Sequence, residues 1–391
     1  MLTPQDLRAK AAIVGIAESD LGDVGAQRYA IELAGQAAYR AVADAGLGMK
    51  DIDGLFGCVM GRFMSNLDLG EYLGIQPRYS DSGNIGGSSF ISYLFHACAA
   101  IQAGLCDNAL IVYGSTPRAD GLRRQMPTGS LERPNYEAPY RPRHPVTGYA
   151  LSTARHMHQY GTTREQLAEV AVAARAWAQL NPAAFTYGKG ALSIDEVINS
   201  KAVCSPLTVR DCCLVTDGGG AVVVTRADRA RDLANPPVYM LGAGEAHSHR
   251  SISQMPDLTT TCATESSQRA YAMAGLGPTD IDVLQLYDAF TINTIMFLED
   301  LGFCAKGEGG AFVSAGRIAP GGSLAVNTNG GGLSHCHPGM YGIFALIEAV
   351  RQLRGDAGAR QCPGAEIALA HGNGGQFSSQ VTAILGTGAA L

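Results

Sequence analysis

None of the ten cysteines in this 391-residue chain stands in a Cys-x-x-Cys pair, so a disulfide scaffold or a structural zinc site has little to rest on. Scattered at 58, 98, 106, 204, 212, 213, 262, 304, 336 and 362, they read mostly as small buried hydrophobes. Runs of one charge are also missing. With 35 acidic and 29 basic residues and a net charge of −6, the chain offers no footprint for nucleic acid. No stretch reaches 18 uncharged apolar residues, and the first twenty positions carry acids without a long apolar core. A soluble cytoplasmic protein with neither signal peptide nor membrane span is therefore expected.

What is present is apolar and rich in glycine. A hydrophobic content of 46% supports a sizeable core, and the 49 glycines are interspersed with periodic apolar segments, as in a fold with many tight turns. The chain is longer than one ordinary domain, so two domains or one duplicated unit is expected. Residues Ala11 to Ala17 read as a strand, Tyr29 to Ala45 as an amphipathic helix, and Ile52 to Val59 as a second strand. This pattern returns: AVADAGLGMKDIDGL, Ala41 to Leu55, matches AYAMAGLGPTDIDVL, Ala270 to Leu284, at ten of fifteen positions without a gap. The offset is 229 residues, and it implies an internal duplication.

After the first copy come the Gly-rich NIGGSS, a helix over Phe90 to Ala103 and a strand over Asn108 to Tyr113. The second copy is followed by NGGGLSHCHPG, a helix over Phe344 to Leu353 and a strand over Glu366 to Ala370. Ala221 to Ala230 reads as a strand closing the first half. Both halves are thus α/β layers whose Gly loops open helices toward a shared site. The expected organisation is 1–114 for the first part of the N-terminal half, 115–204 for an insertion, 205–235 for the end of that half and 236–391 for the C-terminal half. Rich in proline and arginine, the early insertion reads as irregular, and Arg164 to Gln179 as helical. A long irregular insertion is usually a lid or binding wall. Its Arg118, Arg123, Arg124, Arg133, Arg141 and Arg143 either neutralise phosphates or face solvent or another subunit.

Asn327 to Gly342, NTNGGGLSHCHPGMYG, carries the densest chemistry. A glycine turn leads through His335, Cys336, His337 and Tyr341 into an apolar helix. Polar groups are thereby placed at a helix N-terminus, where free N–H groups and the positive end of the macrodipole favour an anion or a developing oxyanion.

These residues resemble the thiolase superfamily, in its sterol-carrier-type branch. NTNGGGLSHCHPG is similar to the family's glycine and GHP loop, DGGGAVVVT at Asp217 to Thr225 to its DGA-type strand, YDAF at Tyr287 to Phe290 to its NEAF or HDCF segment, and HGNGG at His371 to Gly375 to its C-terminal catalytic loop. The resemblance implies a five-layer α/β/α/β/α sandwich of two similar halves, with a homodimer core paired through first-half edge strands. Thiolases also carry a nucleophilic cysteine seventeen residues before the glycine of an IxAG turn. Counting back from Gly104 lands on Gly87. The family's second cysteine corresponds to Ala289, its Asn or His to Tyr287, and the GHP glycine to Cys336.

Without the thiol no acyl-enzyme forms as the family forms it. What the resemblance then implies is a retro-aldol acyl-CoA lyase, similar to thiolase-like proteins of steroid side-chain breakdown that work with a small OB-fold and zinc-ribbon acyl-CoA-binding partner in a heterotetramer. No cofactor is expected beyond the coenzyme A thioester substrate, and no metal. His337 is expected to donate to the thioester oxygen, Tyr341 and Tyr287 to move protons with His335 as neighbour, and Asp288 to orient a histidine or tyrosine. Backbone near Gly87 and Gly374, with Asn373, forms the binding pocket. His371 is a ligand contact or a satisfied loop histidine. Cys336 is the alternative nucleophile of an acyltransferase, and a non-catalytic acyl-CoA-binding subunit is the third reading.

Overall fold

Glycine and alanine decide how closely the layers of this protein meet. The computed structural model describes residues 3–123 and 137–391. In the first half, β1 (Ala11–Glu18), α1 (Ala30–Asp44), β2 (Gly54–Val59), α2 (Ser65–Leu73), β3 (Tyr79–Asp81), α3 (Ser89–Gln102) and β4 (Asn108–Ser115) precede the insertion. The insertion contributes α4 (Val146–Tyr160) and α5 (Arg164–Ala178), after which β5 (Gly218–Arg226) completes the half. The second half runs β6 (Val238–His247), α6 (Ala263–Ala274), β7 (Val283–Leu286), α7 (Thr291–Asp300), β8 (Ala325–Val326), α8 (Gly342–Arg354), β9 (Ile367–Gly374) and β10 (Ser379–Gly386).

Strand order makes the duplication explicit. The first half is ordered β3-β2-β4-β5-β1 and the second β8-β7-β9-β10-β6, the same permutation. Within it, β2 pairs parallel with β4 with Gly54 opposite Ala109, and β7 with β9 with Val283 opposite Ala368. From Gly54 to Val283 is again 229 residues. Helix packing repeats too: a Cβ on Gly15 would stand 2.2 Å from the Ala41 carbonyl oxygen, and one on Gly242 2.2 Å from that of Ala270. Ala41 and Ala270 open the two copies of the repeated segment. Bare strand glycines let each helix settle directly onto its sheet.

Helix α1 packs on β1, β4 and β5, and α6 on β6 and β10, whereas α3 and α8 touch each other and strands of both halves. That gives the α/β/α/β/α order, with α3 and α8 as the middle layer. Strands β1 and β6, each last in its own half, also pair antiparallel at Ala12 with Tyr239 and Ile13 with Val238. The halves therefore form one ten-stranded sheet wrapped around α3 and α8 rather than two separate sheets, and neither of these two edges is left unpaired there.

Three local expectations are corrected. The strand anticipated through Ala230 ends at Arg226, because the run of valines stops and Ala227–Ala230 turns into a short helix. The insertion is less irregular than its prolines imply. Pro117–Arg123 is helical, its first N–H groups on Arg118 and Ala119 bonded to Asp217 Oδ1 at 2.9 and 3.1 Å, and α4 was not anticipated at all. Of the insertion arginines, Arg118 is paired with Asp23 at 3.0 Å, and Arg141 and Arg143 are exposed. Arg124, Arg133 and the Arg123 side chain lie outside the described residues. Among the described residues no helix is long and apolar enough to cross a membrane.

Candidate active site

NIGGSS meets HGNGG and the start of α8, backbone against backbone, where α3 and α8 begin. Gly86 has φ +85°, and a Cβ there would stand 2.7 Å from Gly374 Cα; one on Gly374 would stand 1.8 Å from Ile85 O, and one on Gly342 2.1 Å from Gly87 O. No side chain is tolerated at these contacts. NIGGSS, HGNGG and the start of α8 must be glycine-rich to bring the two helix N-termini together.

Tyr287, at the end of β7, is brought to this junction. A Cβ on Gly87 would stand 2.0 Å from Tyr287 Cε2 and 2.6 Å from its hydroxyl, so the phenol fills the space a side chain at 87 would need. The Tyr287 hydroxyl lies 3.1 Å from His337 Nε2 and 3.5 Å from the Gly339 carbonyl. Burial pushes the Tyr287 phenol well above its ordinary pKa, with Tyr149, Cys213 and Tyr113 adding to the effect and the Tyr341 backbone N–H opposing it. His337 keeps some solvent contact, yet the surrounding protein desolvates its ring and pushes its pKa down to about 4. The imidazole is therefore neutral near pH 7. Its Nε2 and the Tyr287 hydroxyl form a hydrogen-bonded pair whose direction follows the imidazole tautomer. His337, expected to face the thioester oxygen, meets Tyr287 through this nitrogen.

Asp288 does not orient a histidine or tyrosine. Its carboxylate accepts from the N–H groups of Gly332 at 2.6 Å and Leu333 at 3.3 Å, so it clamps the turn Gly331–His335. A Cβ on Gly331 would lie 2.0 Å from Asp288 Oδ2, which explains the glycine. Desolvation raises Asp288 to about 7, the two N–H donors acting against it. His335 sits on the far side of this turn. Its Nε2 is 3.1 Å from Glu18 and its Nδ1 3.3 Å from Asn181, and Glu18 is held in turn by Arg351 at 3.0 Å. Committed on both nitrogens, His335 braces the turn and does not meet Tyr287.

Tyr341 reaches the site by its ring, 5.8 Å from Tyr287 and edge to face. Its hydroxyl donates to Asn329 Oδ1 at 2.8 Å, and the side chain is fully buried. His371 is a satisfied core histidine: Nδ1 lies 2.9 Å from Thr382 and Nε2 2.9 Å from Gln380. Asn373 donates to the Tyr149 hydroxyl at 2.8 Å and accepts from Gln380 at 2.8 Å. Cys336 is fully buried, its thiol pushed far up by desolvation and by Glu18 and Asp288. In the extended backbone at Cys336, neighbouring side chains point to opposite faces. A thiol so placed is not an activated nucleophile.

Three contributors escaped sequence reading. Tyr149, from α4, donates to the Gly375 carbonyl at 2.9 Å and stacks on Phe290 of YDAF at 4.3 Å, so the insertion reaches both motifs. Thr216 accepts from the His337 N–H at 2.9 Å. Tyr113, on β4, bonds the turn after His337. All three lie in ordinary strand, helix or loop context with no motif to mark them.

Comparison with known proteins follows the same lines. Residues 244–387 match the family described as thiolase C-terminal domain-like. Acetyl-CoA acetyltransferase of Methanothermobacter thermautotrophicus is 34% identical over 375 residues, covering 93% of this chain and 96% of the relative. The 17-hydroxy-3-oxo-4-pregnene-20-carboxyl-CoA lyase of Mycobacterium tuberculosis is 33% identical over 368 residues, covering 89% and 92%. Among solved structures, the Ltp2-ChsH2(DUF35) aldolase superposes with a TM-score of 0.87 at 29% identity, over 97% of this chain and 98% of that one.

Proposed function

Because the chain belongs to the thiolase superfamily, in its sterol-carrier-type branch, we propose that it is an acyl-CoA lyase that cleaves the Cα–Cβ bond of a β-hydroxyacyl-CoA without a covalent intermediate. The observation that carries this reading is the Tyr287 phenol standing in the space of a side chain at 87 and bonded to His337. A proton-transfer group occupies the place where acyl transfer needs a nucleophile.

In the proposed reaction the substrate β-hydroxyl gives its proton to Tyr287 Oη as the phenol passes its own to His337 Nε2. The Cα–Cβ bond breaks, the Cβ fragment leaves as a ketone or aldehyde, and the electron pair moves into the thioester as an enolate. The proton then returns through Tyr287 to Cα, giving a shortened acyl-CoA. A buried phenol is a poor base by itself, so the relay is concerted. An imidazolium at His337 is unfavourable in isolation and becomes favourable once enolate charge develops beside it. The α3 N-terminus near Gly87 and the Gly374 loop supply backbone dipoles for that enolate, typically worth several kcal/mol. Asp288, Tyr341 and His335 hold the turn and the ring, and Asn373 and His371 hold the loop; Cys336 takes no part.

A substrate resembling that named for the lyase relative, a steroid carrying a β-hydroxyacyl-CoA side chain, is the first to test. The partner proposed is a small acyl-CoA-binding protein of the DUF35 type, as named in the aldolase neighbour. The core is proposed to be a homodimer through β3, at the end of the sheet order and close to the exposed Phe63, Met64 and Leu67. No cofactor is proposed. The acetyltransferase relative supports a second reading, acyl transfer, against which stand Gly87, the filled space beside it and the buried Cys336. The test is turnover of β-hydroxyacyl-CoA by the partner-saturated protein, compared with Tyr287→Phe.

A further inference from the structure

Between His337 and Tyr341 lies a three-residue turn, Pro338, Gly339 and Met340, with Gly339 at φ +89°. One first-half side chain holds both ends of it. The Tyr113 hydroxyl, on β4, donates to the Pro338 carbonyl and accepts from the Met340 N–H at 3.0 Å. Tyr113 is fully buried and packs against Phe90 of α3, with ring centroids 4.8 Å apart. A Cβ on Gly339 would lie 3.4 Å from the Tyr113 hydroxyl, so the middle of the turn also lies close over the phenol oxygen. The middle peptide of the same turn faces Tyr287, whose hydroxyl is 3.5 Å from the Gly339 carbonyl.

We infer that Tyr113 is a positioning residue for the cleavage reaction: it splints the Pro338–Met340 turn and thereby sets His337 Nε2 against the Tyr287 hydroxyl. The inference rests on the proposed His337–Tyr287 relay. With the splint in place, the carbonyl and N–H that flank the relay have partners without borrowing from it. Without the Tyr113 hydroxyl, the orphaned Pro338 carbonyl and Met340 N–H seek water or new partners. The turn that carries His337 then moves away from Tyr287, and water reaches the imidazole.

The test uses full-length Tyr113→Phe, with Tyr271→Phe as control, since the Tyr271 hydroxyl also serves a backbone carbonyl, Leu301 at 3.1 Å, away from the turn. Two readouts are followed: kcat and KM with a β-hydroxyacyl-CoA, and the pH titration of the His337 ring by NMR. In Tyr113→Phe, kcat is expected to fall about 30- to 100-fold with KM little changed, the scale of a misplacement near 1 Å. The His337 midpoint is expected to move up from about 4 toward the ordinary histidine value, while Tyr271→Phe moves neither quantity. A Tyr113→Phe protein with lowered melting temperature but unchanged kcat and His337 titration overturns the inference. Should that variant not fold, 3,5-difluorotyrosine at 113 keeps the hydroxyl while weakening it as an acceptor. A kcat reduced more than threefold then supports the splint, and an unchanged one overturns it. Wild-type protein that cleaves no β-hydroxyacyl-CoA sinks the relay reading instead, and the His337 signal still reports whether Tyr113 sets the ring.

Discussion

Tyr287 and Gly87 exclude one another: the space that a Cβ at 87 requires is occupied by the Tyr287 ring, 2.0 Å away. A side chain at 87 and the tyrosine at 287 therefore compete for one space. Gly87→Ala alone must push the ring aside, and overpacking of this kind costs about 1–3 kcal/mol. In Gly87→Ala/Tyr287→Ala the clash is gone. Urea unfolding of the four proteins should give a coupling above about 1 kcal/mol, whereas additive losses would mean the two positions do not meet.

Tyr287→Phe keeps the ring and removes the hydroxyl that His337 holds. Turnover should fall on the order of 100- to 10,000-fold with the fold intact. Tyr341→Phe behaves differently, because its hydroxyl serves Asn329. There the expected effect is a stability loss of about 0.5–1.5 kcal/mol from one lost hydrogen bond, since Asn329 Oδ1 still accepts from the Gly331 N–H, with a smaller loss of turnover. Parallel melting and rate measurements on both variants separate the two roles, and equal rate losses would argue against this division.

Acid should destabilise the protein partly through His371. Its pKa is held near 4 by burial against an ordinary value of 6.5. Between those values the unfolded chain binds a proton that the folded one refuses, so stability falls as pH drops from about 6.5 to about 4. Glu18, its pKa lowered by Arg351 and His335 against the desolvation that raises it, acts in the same direction at lower pH. In His371→Asn the urea midpoint should change less between pH 7 and 4.5 than in wild type. An unchanged pH slope would contradict the shift.

Cys336→Ala should retain turnover within about threefold, and the native thiol should resist alkylation, because desolvation keeps it protonated. Rapid labelling of Cys336 in the folded protein, or loss of activity on its removal, would reopen acyl transfer.

The repeat at Ala41 and Ala270 made the duplicated architecture readable from sequence, since helix-to-sheet contact there depends on local glycine and alanine spacing. Position 87, reached by counting from Gly104, lies where the Tyr287 ring packs. What sequence left hidden depends on contacts between distant segments. His335 and His337 are two residues apart, yet one is tied to Glu18 in β1 and the other to Tyr287 at the end of β7. Asp288 adjoins Tyr287 but faces the Gly332 amide. Tyr113 and Tyr149 act through backbone carbonyls more than 200 residues away, which no local pattern announces. The edge pairing of β1 with β6 depends on how the two halves meet and has no signature in either strand.

Dependence on free coenzyme A tests the central claim most directly. Thiolytic acyl transfer consumes a CoA thiol, whereas retro-aldol cleavage needs none. The partner-saturated protein is given a steroid β-hydroxyacyl-CoA with and without added CoA, the carbonyl product and shortened acyl-CoA are quantified, and the intact protein is weighed by mass spectrometry. The account predicts the two products in equal amounts, at a rate indifferent to CoA, with no acyl adduct on the protein. Product formation that requires CoA, accompanied by an acyl group on any cysteine, would contradict it.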